Sequence, residues 1–186
     1  MCELCDENLS PEGHARRRVI LGGIAAGSML LAPPIALAEG PRILAFHHTH
    51  TGEKLKITYA ERGRHLPDAL QEINHFLRDF RSGESHPIDP VLLDKLHQLQ
   101  RLTGGRGPYE IISAYRSPQT NEMLRSNSNG VAQRSLHMEG RAMDVRLRGV
   151  ETRKLHKAAL GLRAGGVGYY ESSDFIHVDT GRVRAW

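Results

Sequence analysis

Two runs rich in Leu, Ile, Thr and Tyr open the ordered pattern of this chain. Residues 42–48 and 54–60 read as strands, and His50-Thr51-Gly52-Glu53 between them supplies the turn of a hairpin. The period then changes. Over residues 67–81, Leu70, Ile73, Phe76, Leu77 and Phe80 recur at helical spacing on one face, and Arg81-Ser82-Gly83 ends the run. The next helix has a clear start: Asp89 is a good N-cap and Pro90 takes the first helical position. Its apolar stripe is Val91, Leu92, Leu96, Leu99 and Leu102, and Thr103-Gly104-Gly105 closes it.

A short apolar strand is predicted over 109–114, with Tyr115-Arg116 at its end. Ser117-Pro118 repeats the cap-plus-proline start, for a helix to about residue 126. Residues 127–134 are polar and hold Gly130, so they read as a mobile loop that lines a cleft. A strand follows over 141–147, then a helix over 150–163 with Leu155, Ala158, Ala159 and Leu162 inward. Gly165-Gly166 ends that helix, and two strands, 167–170 and 175–179, flank the turn at 171–173. Strands and helices in mixed order with short links imply an α+β fold. The expectation is a mainly antiparallel sheet with helices packed on one side and a site on its open face.

The N-terminus changes this picture only by being set aside. Arg16-Arg17-Arg18 precede an uncharged run rich in Gly and Ala, and Ala36-Leu37-Ala38 offers small residues for a signal peptidase. Residues 1–38 therefore read as a twin-arginine-type signal, and residues 39–186 as a single domain, exported to the periplasm. The alternative is an uncleaved leader that tethers the chain to the membrane, and its glycines and prolines argue against a stable span. Both cysteines, Cys2 and Cys5, fall inside it. The formal charge of the whole chain is +4, from 25 basic and 21 acidic side chains. Removing the leader takes away three arginines and four acids, which leaves 22 basic against 17 acidic residues. Without an aromatic platform for bases or a dense Lys/Arg run, nucleic acid is not the expected partner; an anionic polymer such as bacterial cell wall suits the charge.

Candidate chemistry gathers in two segments. Ser135-Leu136-His137-Met138-Glu139-Gly140-Arg141-Ala142-Met143-Asp144 offers an imidazole and a carboxylate, and Asp174-Phe175-Ile176-His177-Val178-Asp179 offers a second imidazole between carboxylates. Two His and one Asp form the three-ligand set of a catalytic zinc site, with one position left for water. Asp174, three residues before His177, is placed as a general base. On a regular strand Asp174 and His177 would face opposite ways, so Asp174 has to sit on the turn or a bulge before the strand. Asp179 shares a strand face with His177 and is placed to orient it. Arg116, at the end of a buried strand and before a helix start, is placed to meet an anion, and Ser135 to bond substrate. Gly140 reads as a positive-φ or close-approach position. His47, His48 and His50 belong to a His-rich hairpin edge, because residues 39–186 hold no cysteine to complete a finger-type site. His75, His86, His97 and His156 read as solvated or capping residues, and Glu139 as a surface residue.

The S-x-H-x-x-G-x-A-x-D run resembles the D-Ala-D-Ala metallopeptidase and hedgehog-domain superfamily, and the chain from residue 42 onward is similar to its YcbK-type branch of murein endopeptidases. The likeness includes Ser113-Ala114-Tyr115-Arg116-Ser117, Gly165-Gly166-Val167-Gly168-Tyr169-Tyr170 and Asp179-Thr180-Gly181-Arg182. It implies one Zn2+ per chain on His137, Asp144 and His177, Asp174 as base, and Arg116 polarising the scissile carbonyl or holding a substrate carboxylate. Many relatives carry Glu or His where this chain has Asp174, and Asp is one methylene shorter than Glu. The implied activity is hydrolysis of peptide cross-links in peptidoglycan. The alternative is a wall-binding or signalling module of the same fold that keeps the metal without the chemistry.

Overall fold

The computed structural model describes residues 40–127 and 131–186. The chain divides into two units, Met1–Ala36 and Leu37–Trp186, and the described residues belong to the second. The leader expected over 1–38 lies outside them.

Among the described residues eight strands form one sheet: β1 Arg42–His48, β2 Lys54–Glu61, β3 Arg64–His65, β4 Tyr109–Ser113, β5 Ala142–Leu147, β6 Gly166–Tyr170, β7 Phe175–Asp179 and β8 Arg184–Ala185. Their order across the sheet is β3-β2-β1-β4-β5-β7-β6-β8. The β1–β4 and β6–β8 pairs are parallel and the others antiparallel, so the fold is α+β as the pattern implies. Among the described residues four α-helices accompany it: α1 Pro67–Phe76, α2 Pro90–Thr103, α3 Pro118–Asn127 and α4 Thr152–Leu162.

Alternation assigns the two faces. Phe46 on β1, Ile111 on β4, Val145 on β5 and Val178 on β7 enter the core, where they meet Ile73 and Leu77, Leu92, Leu96 and Leu99 of α2, and Leu155 of α4. Burying each such side chain contributes roughly 1.5–3 kcal/mol. The alternate positions, Asp144 on β5 and His177 on β7, then face the other way, and the two are directly paired across the ladder. A slip of one residue would send these ligand candidates into the core, so hydrophobic burial fixes the register of the site.

The structure departs from the pattern in a few places. The first helix stops at Phe76, five residues before the expected end. The Leu77 carbonyl, which a longer helix would give to Arg81, accepts from the Tyr115 amide instead, and the Arg81 amide turns to the Asp79 carboxylate. Val91 and Leu102, expected in the stripe of α2, are exposed at 57% and 59%, and Leu93 and Lys95 are buried in their place. His156 is not solvated: its ring stacks on Tyr169 at 4.8 Å. The two-residue strands β3 and β8 are too short to leave a period in the sequence. Among the described residues no helix is long and apolar enough to cross a membrane.

Candidate metal centre and cleft

Each ligand candidate arrives on a different kind of support. Ser135 caps a single 3-10 turn, Leu136–Glu139, by accepting from the His137 amide. Gly140 ends the turn with φ +65°, and a β-carbon there would lie 2.1 Å from the Pro87 carbonyl oxygen. Both reasons for a glycine at this position therefore apply. The turn presents His137 against the end of β4, where the Ala114 carbonyl accepts from His137 Nδ1 at 2.7 Å and the Arg116 amide donates to the His137 carbonyl at 3.2 Å. Asp144 and His177 come from the paired strands β5 and β7.

Three atoms converge. His137 Nε2 lies 3.3 Å from His177 Nδ1 and 3.4 Å from Asp144 Oδ1, and His177 Nδ1 lies 2.9 Å from Asp144 Oδ1. All three residues are nearly buried, at 4%, 8% and 9% exposure for His137, His177 and Asp144. The opposite ring nitrogens set the tautomers. A carbonyl only accepts, so His137 carries its proton on Nδ1 and offers a lone pair from Nε2. His177 Nε2 sits 3.1 Å from Asp179 Oδ2, so it donates there and offers Nδ1 inward. Two imidazole lone pairs and a carboxylate then point at one another, an arrangement that calls for a positive charge among them.

The protonation tendencies agree. Burial opposes a charged His177 ring, but its bonds to Asp144 and Asp179 outweigh burial and raise its pKa. Burial likewise opposes the Asp144 carboxylate, yet the two imidazoles beside it hold its pKa well below the usual range. A metal ion meets the same demand. Ligands about 2.0–2.1 Å from a tetrahedral zinc stand about 3.3 Å apart; two of the observed separations, 3.3 and 3.4 Å, match that spacing, and the third is shorter at 2.9 Å. His137, Asp144 and His177 thus form a group able to hold a metal ion.

Asp179 is fully buried and acts as the anchor behind His177. Its carboxylate accepts from the Gly166 and Gly181 amides at 2.8 Å each and from the Arg184 guanidinium at 2.6 and 3.2 Å, and the Lys95 ammonium donates to its backbone carbonyl. Burial alone would raise its pKa; these donors and His177 pull it down instead. Sequence reasoning misses Arg184 and Lys95, since neither lies in a motif that carries chemistry.

Arg116 stands where expected, at the end of β4. Its guanidinium reaches Ser113 Oγ at 3.2 Å and Asn121 Oδ1 at 3.4 Å, lies 4.0 Å from Asp144 Oδ2, and its Nε is buried without a hydrogen-bond partner among the described residues. A cleft of about 540 Å³ opens over the group, lined by Arg116, Arg134, Ser135, Tyr170, Phe175 and Trp186 among others. Val131, Ala132 and Arg134 also line it, so the polar segment after α3 borders the site as expected, although residues 128–130 lie outside the described ones. Glu139 pairs with Arg141 at the surface.

Asp174 sits off the strand, as the geometry required: it is a left-handed residue, φ +52°, that ends the 3-10 turn before β7. Its side chain does not line the cleft. It accepts from Thr152 Oγ1 at 2.5 Å and from Arg146 at 3.1 Å, and the Thr152 bond is the main reason that its pKa is lowered.

Residues 36–186 match the family model described as peptidoglycan L,D-endopeptidase MepK. The chain belongs to this family. Similar proteins include the peptidoglycan L,D-endopeptidase MepK of Escherichia coli (strain K12), 43% identical over 178 residues that cover 94% of this chain and 98% of that one. The probable peptidoglycan L,D-endopeptidase MepK of Haemophilus influenzae is also 43% identical over 178 residues, covering 93% of this chain and 95% of its own. No solved structure matches the chain.

Proposed function

We propose that the chain is an exported, zinc-dependent murein endopeptidase that hydrolyses peptide cross-links, those joining two diaminopimelate residues first among them. The observation that carries the metal part is the convergence of three lone-pair donors with fixed tautomers. Membership of a family described by its peptidoglycan L,D-endopeptidase activity supports the substrate. The twin-arginine-type leader supports a periplasmic location.

Zinc held by His137, Asp144 and His177 would supply Lewis-acid polarisation and an acidified water. The residues of the chain do the rest. Asp179 holds His177 in the tautomer that points inward. Arg116 donates to the carbonyl oxygen as negative charge grows on it, or grips a substrate carboxylate. Ser135 offers its hydroxyl to the bound peptide. Asp174 is the proposed base, taking the proton of the attacking water and returning it to the leaving amine. For that it has to release Thr152 and Arg146 and turn toward the cleft.

Asp174→Asn tests this directly. Removing a general base is expected to lower kcat on cross-linked muropeptides by about 10²–10⁴-fold while zinc content is unchanged. A variant as active as wild type rules Asp174 out as base. The engagement of Asp174 by Arg146 favours one second reading, a metal-containing wall-binding module; zinc-loaded protein that binds muropeptides and cuts none would establish it.

A further inference from the structure

The cleft has chemically unlike flanks. Arg116 follows β4 on one side of the β5–β7 ligand pair, and β6 and β8 lie on the other side. That second flank is aromatic. Tyr170 stacks on Phe175 with ring centres 4.6 Å apart, and Trp186 Nε1 donates to the Tyr170 hydroxyl at 3.1 Å. The Trp186 indole lies 5.2 Å from the His177 ring and 4.9 Å beneath the Arg184 guanidinium.

This indole is held firmly and still faces water. Its backbone continues the sheet, donating to the Val167 carbonyl and accepting from the Tyr169 amide. Its ring lies on the bare α-carbon of Gly168, where a β-carbon would come within 2.7–2.9 Å of three indole atoms. Yet Trp186 is 50% exposed and Tyr170 37% exposed, and both line the cleft. A large apolar surface, ordered in advance and left open beside a reaction centre, binds with little further ordering cost.

We propose that Trp186, with Tyr170 at its edge, is the platform on which the aliphatic chain of the bound cross-link lies, so that the adjoining peptide carbonyl is set over the ligand group while Arg116 takes the polar flank. The proposal rests on the murein endopeptidase reading. Aromatic faces also stack on sugars, but an indole this close to His177 touches whatever adjoins the bond being cut, and in a peptidase that is peptide.

Trp186 is the only tryptophan in the chain, so its emission reports on this flank alone. Zinc-loaded protein is mixed with a cross-linked stem-peptide dimer freed of sugars, and emission is read before turnover. A saturating shift in emission is expected, and none with the glycan alone. Trp186→Ala is expected to raise KM about ten-fold with a much smaller change in kcat and unchanged zinc content, and Trp186→Phe to recover most of the loss because a ring still covers Gly168. Should Trp186→Ala fail to fold, Tyr170→Ala carries the kinetic test, with KM expected to rise about three- to ten-fold.

Flat emission at saturating peptide, or a KM within two-fold of wild type in Trp186→Ala (in Tyr170→Ala where that variant does not fold), overturns the platform. A shift seen only with glycan overturns its assignment to the aliphatic chain. The two failures are distinguishable: cleavage with flat emission sinks the platform alone, and an emission shift without cleavage sinks the hydrolase reading and leaves Trp186 only as a peptide-binding face.

Discussion

Behind each imidazole of the candidate metal group stands a fixed acceptor, and the two acceptors differ in kind. His137 leans on a neutral carbonyl, Ala114, whereas His177 leans on Asp179, a fully buried carboxylate held by two amides and Arg184. A buried negative charge is tolerable only with such partners, and its effect is to hold the His177 proton on Nε2 and raise the donor strength of Nδ1. Asp179→Asn keeps the shape but turns part of that acceptor into a donor. The expected result is a 10- to 100-fold loss of zinc affinity, read by competition with a chelator, with the fold retained. An unchanged affinity would show that Asp179 supports only the loop around it. The convergence of His137, Asp144 and His177, with Asp179 behind His177, was legible from spacing and strand alternation, and the place of Arg116 from a strand end that runs into a helix cap. The placement of Arg184, Tyr170 and Trp186 beside the group was not, because it arises from β6 and β8 packing side by side, and a two-residue strand leaves no pattern to read.

At the scale of elements, period and punctuation located the hairpin, α2 with its Asp89 cap and Gly104 end, and the strands β5 and β7. The end of α1 could not be read that way, since Tyr115 and Ser117, almost forty positions later, decide it. Asp79 is the centre of that decision. It is 1% exposed and binds the Ser117 amide and hydroxyl at 2.9 and 2.8 Å, so it joins the end of α1 to the start of α3 and steadies the turn that carries Arg116. Burial pushes its pKa up, but hydrogen bonds from Thr120, Ser117 and Arg81 prevail and bring it from 3.8 down to about 2. A carboxylate depressed on folding stabilises above its unfolded pKa and loses that contribution as pH falls through the folded value. Asp79→Asn should therefore cost roughly 2 kcal/mol near neutrality, and the gap from wild type should close between about pH 4 and pH 2 in denaturant melts. A gap that persisted unchanged at pH 2 would contradict this role for Asp79.

Across the whole molecule, the sheet does the assembling. The order β4-β5-β7-β6 brings residues 116, 144, 177 and 170 onto neighbouring strands or strand ends, although they span more than fifty positions of sequence. The α+β architecture with its open face was legible from the mixed order of elements; the strand order that unites the two ligand segments was not, because it is settled by long-range packing. The same core that buries Val145 and Val178 points Asp144 and His177 at each other, so the stability of the fold and the geometry of the centre have one source. The direct test is the zinc content of purified protein, by elemental analysis, in wild type and in a His137→Ala, His177→Ala double variant. One zinc per folded chain, lost in the double variant while its circular dichroism stays native, is the predicted result; folded wild-type protein that neither carries zinc nor binds it when supplied would contradict the account.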